Sequence, residues 1–223
     1  MLSQEVIGKM SCRVYIQIFL ILVVSLFFSF FTHNVALAAT FLPPGALSGN
    51  TSWTLANSPY VIDSDVNIPP GLTLIIEPGV VVKFKNSFST LDVEGMLNAS
   101  GTADAPIIFT SYKDDIAGGD TNGDGSSSFP SSSNNWRAII FHHGSISTVQ
   151  HASIRYGGQF LFISGSFQSF PMLRNEGGIL SFNNVELSSR SASIDTFNQT
   201  GGNTTIANAK IGNTRNGIVI SGG

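Results

Sequence analysis

The stretch best equipped for chemistry is Asp114-Asp115-Ile116-Ala117-Gly118-Gly119-Asp120-Thr121-Asn122-Gly123-Asp124-Gly125. Within it, Asp120-x-Asn122-x-Asp124-Gly125 has the spacing of the first half of an EF-hand loop, where alternating side-chain oxygens and a turn glycine wrap a hard cation. The chemistry would be calcium binding. Two features depart from an EF-hand. The twelfth position, where a bidentate Glu belongs, is Ser131, and no helical pattern flanks the loop. The expectation is therefore a free-standing calcium loop in which Asp120, Asn122 and Asp124 are joined by Asp114 or Asp115. Such an ion would be structural, offsetting repulsion among four carboxylates. The alternative is a solvated insertion, because Asp, Gly and Ser also favour turns.

Other candidates are weaker. Asp114-Asp115 has the residue type of a glycosidase carboxylate pair, which must flank the scissile bond. His142, His143 and His151 are metal ligands by type, but adjacent residues on a strand point to opposite faces and no third spaced ligand accompanies them. Surface or turn histidines are expected. Arg155 is read as a solvent-facing residue on an outer strand position, and no acids align beside Arg155 or Arg174 in the sequence. Phe160, Phe162, Phe167 and Phe170 form either an exposed patch for a sugar or partner, or an apolar plug.

The elements that would position these residues are legible from a repeat. Phe182 matches Ile206, Asn184 matches Asn208, Leu187 matches Ile211 and Ile194 matches Ile218, all at an offset of 24. His151-Ala152-Ser153-Ile154 aligns by type with Asn184-Val185-Glu186-Leu187 at a step of 33, which leaves nine extra residues within 159–171. A fixed period in the range of about 20–50 residues marks a solenoid. Each unit holds short alternating apolar runs, which indicate strands. Further runs are Leu72-Leu74-Ile76, Val80-Val82-Phe84 and Leu91-Val93-Gly95-Leu97-Ala99. The fold class predicted is all-β, a parallel β-helix of about six coils, with Trp53 and Tyr60 supplying bulk at its start and asparagines at left-handed corners.

The run Pro70-Gly71-Leu72-Thr73-Leu74-Ile75-Ile76-Glu77-Pro78-Gly79-Val80-Val81-Val82-Lys83-Phe84 resembles the opening coils of bacterial secreted right-handed parallel β-helix repeat proteins of the pectate-lyase-like superfold. Residues 101–111, 136–141 and 151–158 are similar to the same family, so the resemblance covers roughly residues 53–220. It implies a right-handed solenoid and little about activity, because the family includes lyases, hydrolases and adhesins. Its glycosidases carry a Gly-His-Gly element with an Arg/Lys element on successive coils. His142-His143-Gly144 is the nearest match and lacks the leading Gly. Its lyases need calcium-binding acids on successive coils with an Arg or Lys base, and the sequence shows no such row.

Ahead of the solenoid, Lys9 and Arg13 precede an apolar run from Val14 to Phe31, followed by Ala36-Leu37-Ala38. This is the pattern of a secretory signal peptide, here expected as a leader helix over 1–38, with residues 14–31 serving as a membrane anchor if it is kept. Removing it leaves 9 basic and 13 acidic residues, a balance of −4. No basic footprint for nucleic acid exists. The expected organisation is leader 1–38, linker 39–52, and β-helix 53–223 with insertions near 111–135 and 157–177, ending on an uncapped strand as though coils were to follow. The expected role is a secreted or cell-surface module for attachment to glycan or protein, leaning away from an enzyme. The competing expectation is a polysaccharide lyase or glycoside hydrolase whose catalytic coils lie outside this chain.

Overall fold

A computed structural model describes residues 38–131, 135–163, 165–189, 193–212 and 214–221. The leader predicted over 1–38 lies almost wholly outside the described residues. From Thr40 onward the chain winds into a parallel β-helix whose strands stack in three ladders. The first coil is β1 (Thr40–Leu42), β2 (Gly45–Ala46) and β3 (Thr51–Trp53), and the second β4 (Tyr60–Ile62), β5 (Val66–Ile68) and β6 (Thr73–Ile76). The third is β7 (Val81–Phe84), β8 (Thr90–Val93) and β9 (Met96–Ser100). Then β10 (Ile107–Ser111) and β11 (Ala138–Phe141) lead into β12 (Ile146–Arg155), which bends and carries two ladders. A hairpin, β13 (Gln159–Ile163) and β14 (Ser166–Phe170), interrupts the wall. β15 (Leu173–Ser188), β16 (Phe197–Ala207), β17 (Lys210–Gly212) and β18 (Ile218–Ile220) close the sixth coil and start a seventh.

All ladder pairings are parallel. Ladder A runs β1-β4-β7-β10 and on through the distal halves of β12 and β15 to β17. Ladder B runs β2-β5-β8-β11 and then the proximal parts of β15 and β16 to β18. Ladder C runs β3-β6-β9 through the proximal half of β12, the middle of β15 and the end of β16. Six coils are complete, as the repeat predicts. The stretch read as a linker is instead coil 1, because residues 40–42, 45–46 and 51–53 find ladder partners in coil 2.

Alternation fills the interior. Tyr60, Val82, Phe109, Ile154 and Leu187 stack in one inward column, and Leu91, Ile139, Leu173 and Phe197 in another. Aromatics reinforce it, with Trp53 stacked on Tyr60 (centroids 5.2 Å apart) and Phe84 on Trp136 (4.1 Å). Burying each such ring contributes about 1.5–3 kcal/mol relative to exposure. Trp53 and Tyr60 are thus core residues joining coils 1 and 2. The buried amides of Asn175 and Gln199 face inward and tie the B-to-C turns. Asn175 Oδ1 accepts from Gly177 and Gly178 N–H, and Gln199 Nε2 donates to the Gly202 carbonyl.

The 33- and 24-residue steps are the true register at Ile154–Leu187, Leu187–Ile211 and Phe182–Ile206. The match of Ile194 with Ile218 is not, since Ile218 pairs with Phe197. The turn between ladders A and B is three residues shorter in coil 7 than in coil 6, so the offset falls to 21 there. The second insertion is also shorter than read, because residues 173–177 already belong to β15 and the excursion is the 159–170 hairpin. Phe160 and Phe162 on it are exposed, and the Arg137 guanidinium lies 5.3 Å from the Phe170 ring centroid.

His151, Asn184 and Asn208 stand at equivalent corners between ladders C and A with φ of 45°, 53° and 53°. Asparagine tolerates this left-handed region, and a β-branched residue does not. Asn184→Gly is expected to leave stability within about 0.5 kcal/mol, while Asn184→Val loses about 1–2 kcal/mol. Urea unfolding of the two variants checks this; equal midpoints would remove the corner constraint.

Candidate functional site

The loop that carries the acidic motif, residues 112–131, folds back over the outer face of ladder A. That face presents the outward column Phe41, Val61, Lys83, Thr110 and Arg155. Val61, Lys83 and Thr110 point away from the core yet are buried. Above Lys83, Gly118 sits against Pro59 and Val81, Tyr112 Oη donates to the Thr121 carbonyl (2.9 Å), and the Tyr112 ring meets Phe41 edge-on.

Lys83 is fully buried, and its Nζ donates to the Gly119 carbonyl and to Thr121 Oγ1, both at 2.6 Å. Burial pushes its pKa down from 10.5 to about 8, against the opposing pull of Asp114, Asp115 and Asp120. The lysine is therefore the internal counter-charge on which the acidic loop rests. Sequence reading placed it only as a polar position in an alternating run.

Of the predicted ligands, the structure gathers three carboxylates. Asp115, Asp120 and Asp124 offer oxygens that all lie within 4.8 Å of one another. Asp120 orders the turn, accepting at Oδ1 from Gly123 N–H (2.8 Å) and at Oδ2 from Gly125 N–H (2.8 Å). Asn122 Nδ2 donates to Asp124 Oδ2 (2.8 Å), and Ser128 Oγ donates to the same oxygen (2.5 Å). Among the described residues, Asp115 Oδ1, Asn122 Oδ1 and Asp124 Oδ1 are shielded from solvent and accept no hydrogen bond. Burial, then the neighbouring Asp120, raises the pKa of Asp115. An all-oxygen donor set with unfilled lone pairs fits a hard divalent cation.

Asp114 is not part of this set. It is buried, accepts from Thr110 Oγ1 at 2.5 Å, and forms an ion pair with Arg155, Nη2 to Oδ2 2.7 Å. Arg155, read as solvent-facing, is thus the anchor of the loop's first turn. Which of two adjacent acids takes which role depends on a partner 41 residues away, which spacing does not reveal.

A second constellation was missed altogether. His142 Nε2 lies 3.0 Å from Asp92 Oδ1 and Nδ1 lies 3.3 Å from Glu176 Oε2, while Arg174 Nη2 reaches Glu176 Oε1 at 2.5 Å. Asp92 comes from coil 3, His142 from coil 4, and Arg174 and Glu176 from coil 5. This is a row of acids with a basic residue on adjacent coils, contrary to the sequence expectation. A neutral imidazole has one N–H and serves one of these carboxylates; an imidazolium serves both. His143 is exposed beside it, and His151 is a corner residue. A shallow cavity of about 240 Å³ lies at that corner, lined by Thr102, Pro106, His151, Ser153, Asn184 and Glu186.

No family model and no solved structure matches the chain. Among curated proteins, it is similar to Protein bark beetle of Drosophila melanogaster, 39% identical over 59 residues. That match covers 26% of this chain and 2% of the Drosophila protein, so the aligned stretch spans a very small part of that relative.

The Lys83 environment has a measurable consequence. Below pH 8 the ammonium is charged in folded and unfolded chains alike, so the cost of burying it is present in full. Between about pH 8 and 10.5 the folded chain has released a proton that the unfolded chain keeps, so this group makes stability rise with pH. Denaturant midpoints from pH 7 to 10 should show the rise in the wild type and a flatter profile in Lys83→Met. Parallel profiles would count against the buried ammonium.

Proposed function

We propose that this chain is an extracellular β-helix module for attachment to, or recognition of, a glycan or another surface protein, with calcium fastening the 112–131 loop to ladder A. The observation that carries the calcium reading is the convergence of Asp115, Asp120 and Asp124 with three shielded, unpartnered oxygens around them. A site on a surface insertion, with much of its second carboxylate already committed to backbone N–H groups, belongs with the weak calcium sites of extracellular modules, on the order of 10⁻⁴–10⁻³ M. Such a site fills where calcium is abundant, which accords with the secretory pattern ahead of the solenoid. The long ladder walls, with exposed side chains repeated coil after coil, support recognition of an extended partner.

Asp92, His142, Glu176 and Arg174 favour a second reading, acid–base chemistry on a polysaccharide, because they line three successive coils. Against it, the four groups are engaged with one another in contacts of 2.5–3.3 Å. Incubation of the full-length chain with polygalacturonate and with neutral glucans should generate neither reducing ends nor unsaturated products. Turnover that disappears in His142→Gln would establish the enzyme instead.

The calcium reading is tested by thermal unfolding of the full-length chain across a calcium titration. Calcium at 100 times its Kd should add about 2.7 kcal/mol. The increment should vanish in Asp120→Ala/Asp124→Ala and survive in Asp114→Asn, which lowers only the baseline. A wild type indifferent to calcium and chelator would reduce the loop to a lysine-pinned insertion.

A further inference from the structure

The three outer walls of the solenoid differ in charge. Ladder A shows Lys83, Arg155, Glu186 and Lys210, and ladder B shows Asp92, Arg174 and Glu176 with His142. Ladder C shows none at its paired positions, with Glu77 standing just beyond the end of β6. Its first outward column is Thr73, Met96, Ile146, Ile179 and Asn203, in register through coils 2 to 6. Beside it run Ser52, Ile75, Asn98, Thr148, Ser181 and Thr205, and then Ser100, Gln150, Asn183 and Ala207. No outward side chain at these paired positions is ionisable, in a chain with 25 Lys, Arg, Asp and Glu residues.

The wall is also exposed and chemically two-toned. Ile75 is 43% accessible, Met96 46%, Ile146 48% and Ile179 57%; Met96, Ile146 and Ile179 adjoin in register as an apolar stripe, with Ile75 in the neighbouring column. Flanking them, Asn98, Thr148, Ser181 and Thr205 are exposed. Among the described residues, no hydrogen bond from the hydroxyls of Thr148, Ser181 or Thr205 to another part of the chain is found. Parallel strands repeat every ~4.8 Å, so the five rungs of coils 2 to 6 present this pattern over about 19 Å.

We propose that the outer face of ladder C is the recognition surface, and that its ligand is an uncharged polysaccharide lying along the solenoid axis. This rests on the recognition reading above. A pyranose chain presents C–H faces and hydroxyl rims, matching the Met96–Ile146–Ile179 stripe and the Asn98–Thr148–Ser181–Thr205 column. A uronate or sulfated polymer, a nucleic acid or an anionic membrane finds no cation on this wall, and desolvating its charges there would go uncompensated. Contiguous exposed apolar residues rimmed by polar ones mark an interaction surface.

The test is co-sedimentation of the full-length chain with microcrystalline cellulose, chitin and insoluble β-1,3-glucan, with calcium-gelled polygalacturonate as the charged probe. Retention is expected on at least one neutral polymer, little changed between 0.1 and 1 M NaCl. Thr148→Glu and Ile179→Glu should each weaken it at least tenfold with melting temperature preserved, and Thr148→Val reports the hydroxyl alone. Phe88→Glu, the same charge added on an exposed turn between β7 and β8, should keep wild-type retention. Retention that survives both ladder C substitutions overturns this face and leaves the recognition reading standing. Binding to polygalacturonate alone does the same. Sedimentation with none of the polymers removes the polysaccharide. A dimer abolished by Ile179→Glu would give the face to a second copy of the chain and overturn the proposal.

Discussion

Everything in this molecule depends on in-register parallel pairing between one coil and the next. An inward residue such as Phe182 takes its cover from neighbouring coils, with Val149 and Ile206 paired on either side and the rings of Phe141 and Phe197 meeting it edge-on. The corners must therefore recur at the same rung, and His151, Asn184 and Asn208 do so in one left-handed conformation. Length can change only where the chain leaves the ladders. The two long excursions, 112–137 and 156–172, both leave from the A-to-B side, and the wall resumes in register after each.

The first excursion changes the wall it crosses. An outward lysine on a bare β face would be solvated; covered by the 112–131 loop, Lys83 is buried and must be compensated locally. The loop supplies the Gly119 carbonyl, the Thr121 hydroxyl and three nearby carboxylates, while Arg155 holds Asp114. Lysine and loop are thus mutually dependent. Removing the lysine while the loop stays folded leaves the Gly119 carbonyl and the Thr121 hydroxyl without their donor and the nearby carboxylates without their counter-charge. The pairing also sets the chemistry of the cation cluster. Arg155 neutralises Asp114 by direct contact, Lys83 acts on the nearby carboxylates through space while bonded to Gly119 and Thr121, and the three converging carboxylates keep an excess of negative charge.

The repeat made the fold legible because strand stacking imposes a local, periodic pattern: alternation, corner asparagines and a recurring step of 24. Where the period changed, sequence reading failed, as at Ile194 and Ile218. The linker reading failed for a related reason: Thr40–Leu42 and Gly45–Ala46 are too short and too rich in Pro and Gly nearby to look like strands until Tyr60–Ile62 and Val66–Asn67 offer them partners. The acidic loop was legible as a candidate because its ligands are contiguous. The Asp92–His142–Glu176 cluster was not, since its members are 50 and 34 positions apart. A signal existed all the same. Aligning Leu91–Val93 with Ile139–Phe141 and Leu173–Asn175 puts Asp92, His142 and Glu176 on neighbouring outward rungs.

Charge on the walls follows from what each wall must do. On ladders A and B the outward charges bind one another or an insertion: Arg155 with Asp114, Lys210 with Glu186, Arg174 with Glu176. The first fastens loop to wall and the second coil to coil, while the third lies within one strand whose Glu176 reaches His142 on the coil before. Ladder C bears no insertion among the described residues, and its coils are held by backbone pairing and the core alone. Among the described residues, the hydroxyls of Thr148, Ser181 and Thr205 bond to no other part of the chain, while Asn98 and Asn183 accept from Ser100 and Asn208. Because the N–H and C=O groups of this wall are already spent within the ladder, a partner cannot add as a strand across the face and must be read by side chains. Each rung then contributes little, and useful affinity comes from engaging several rungs at once. The ligand best able to do that is one that repeats as the wall does.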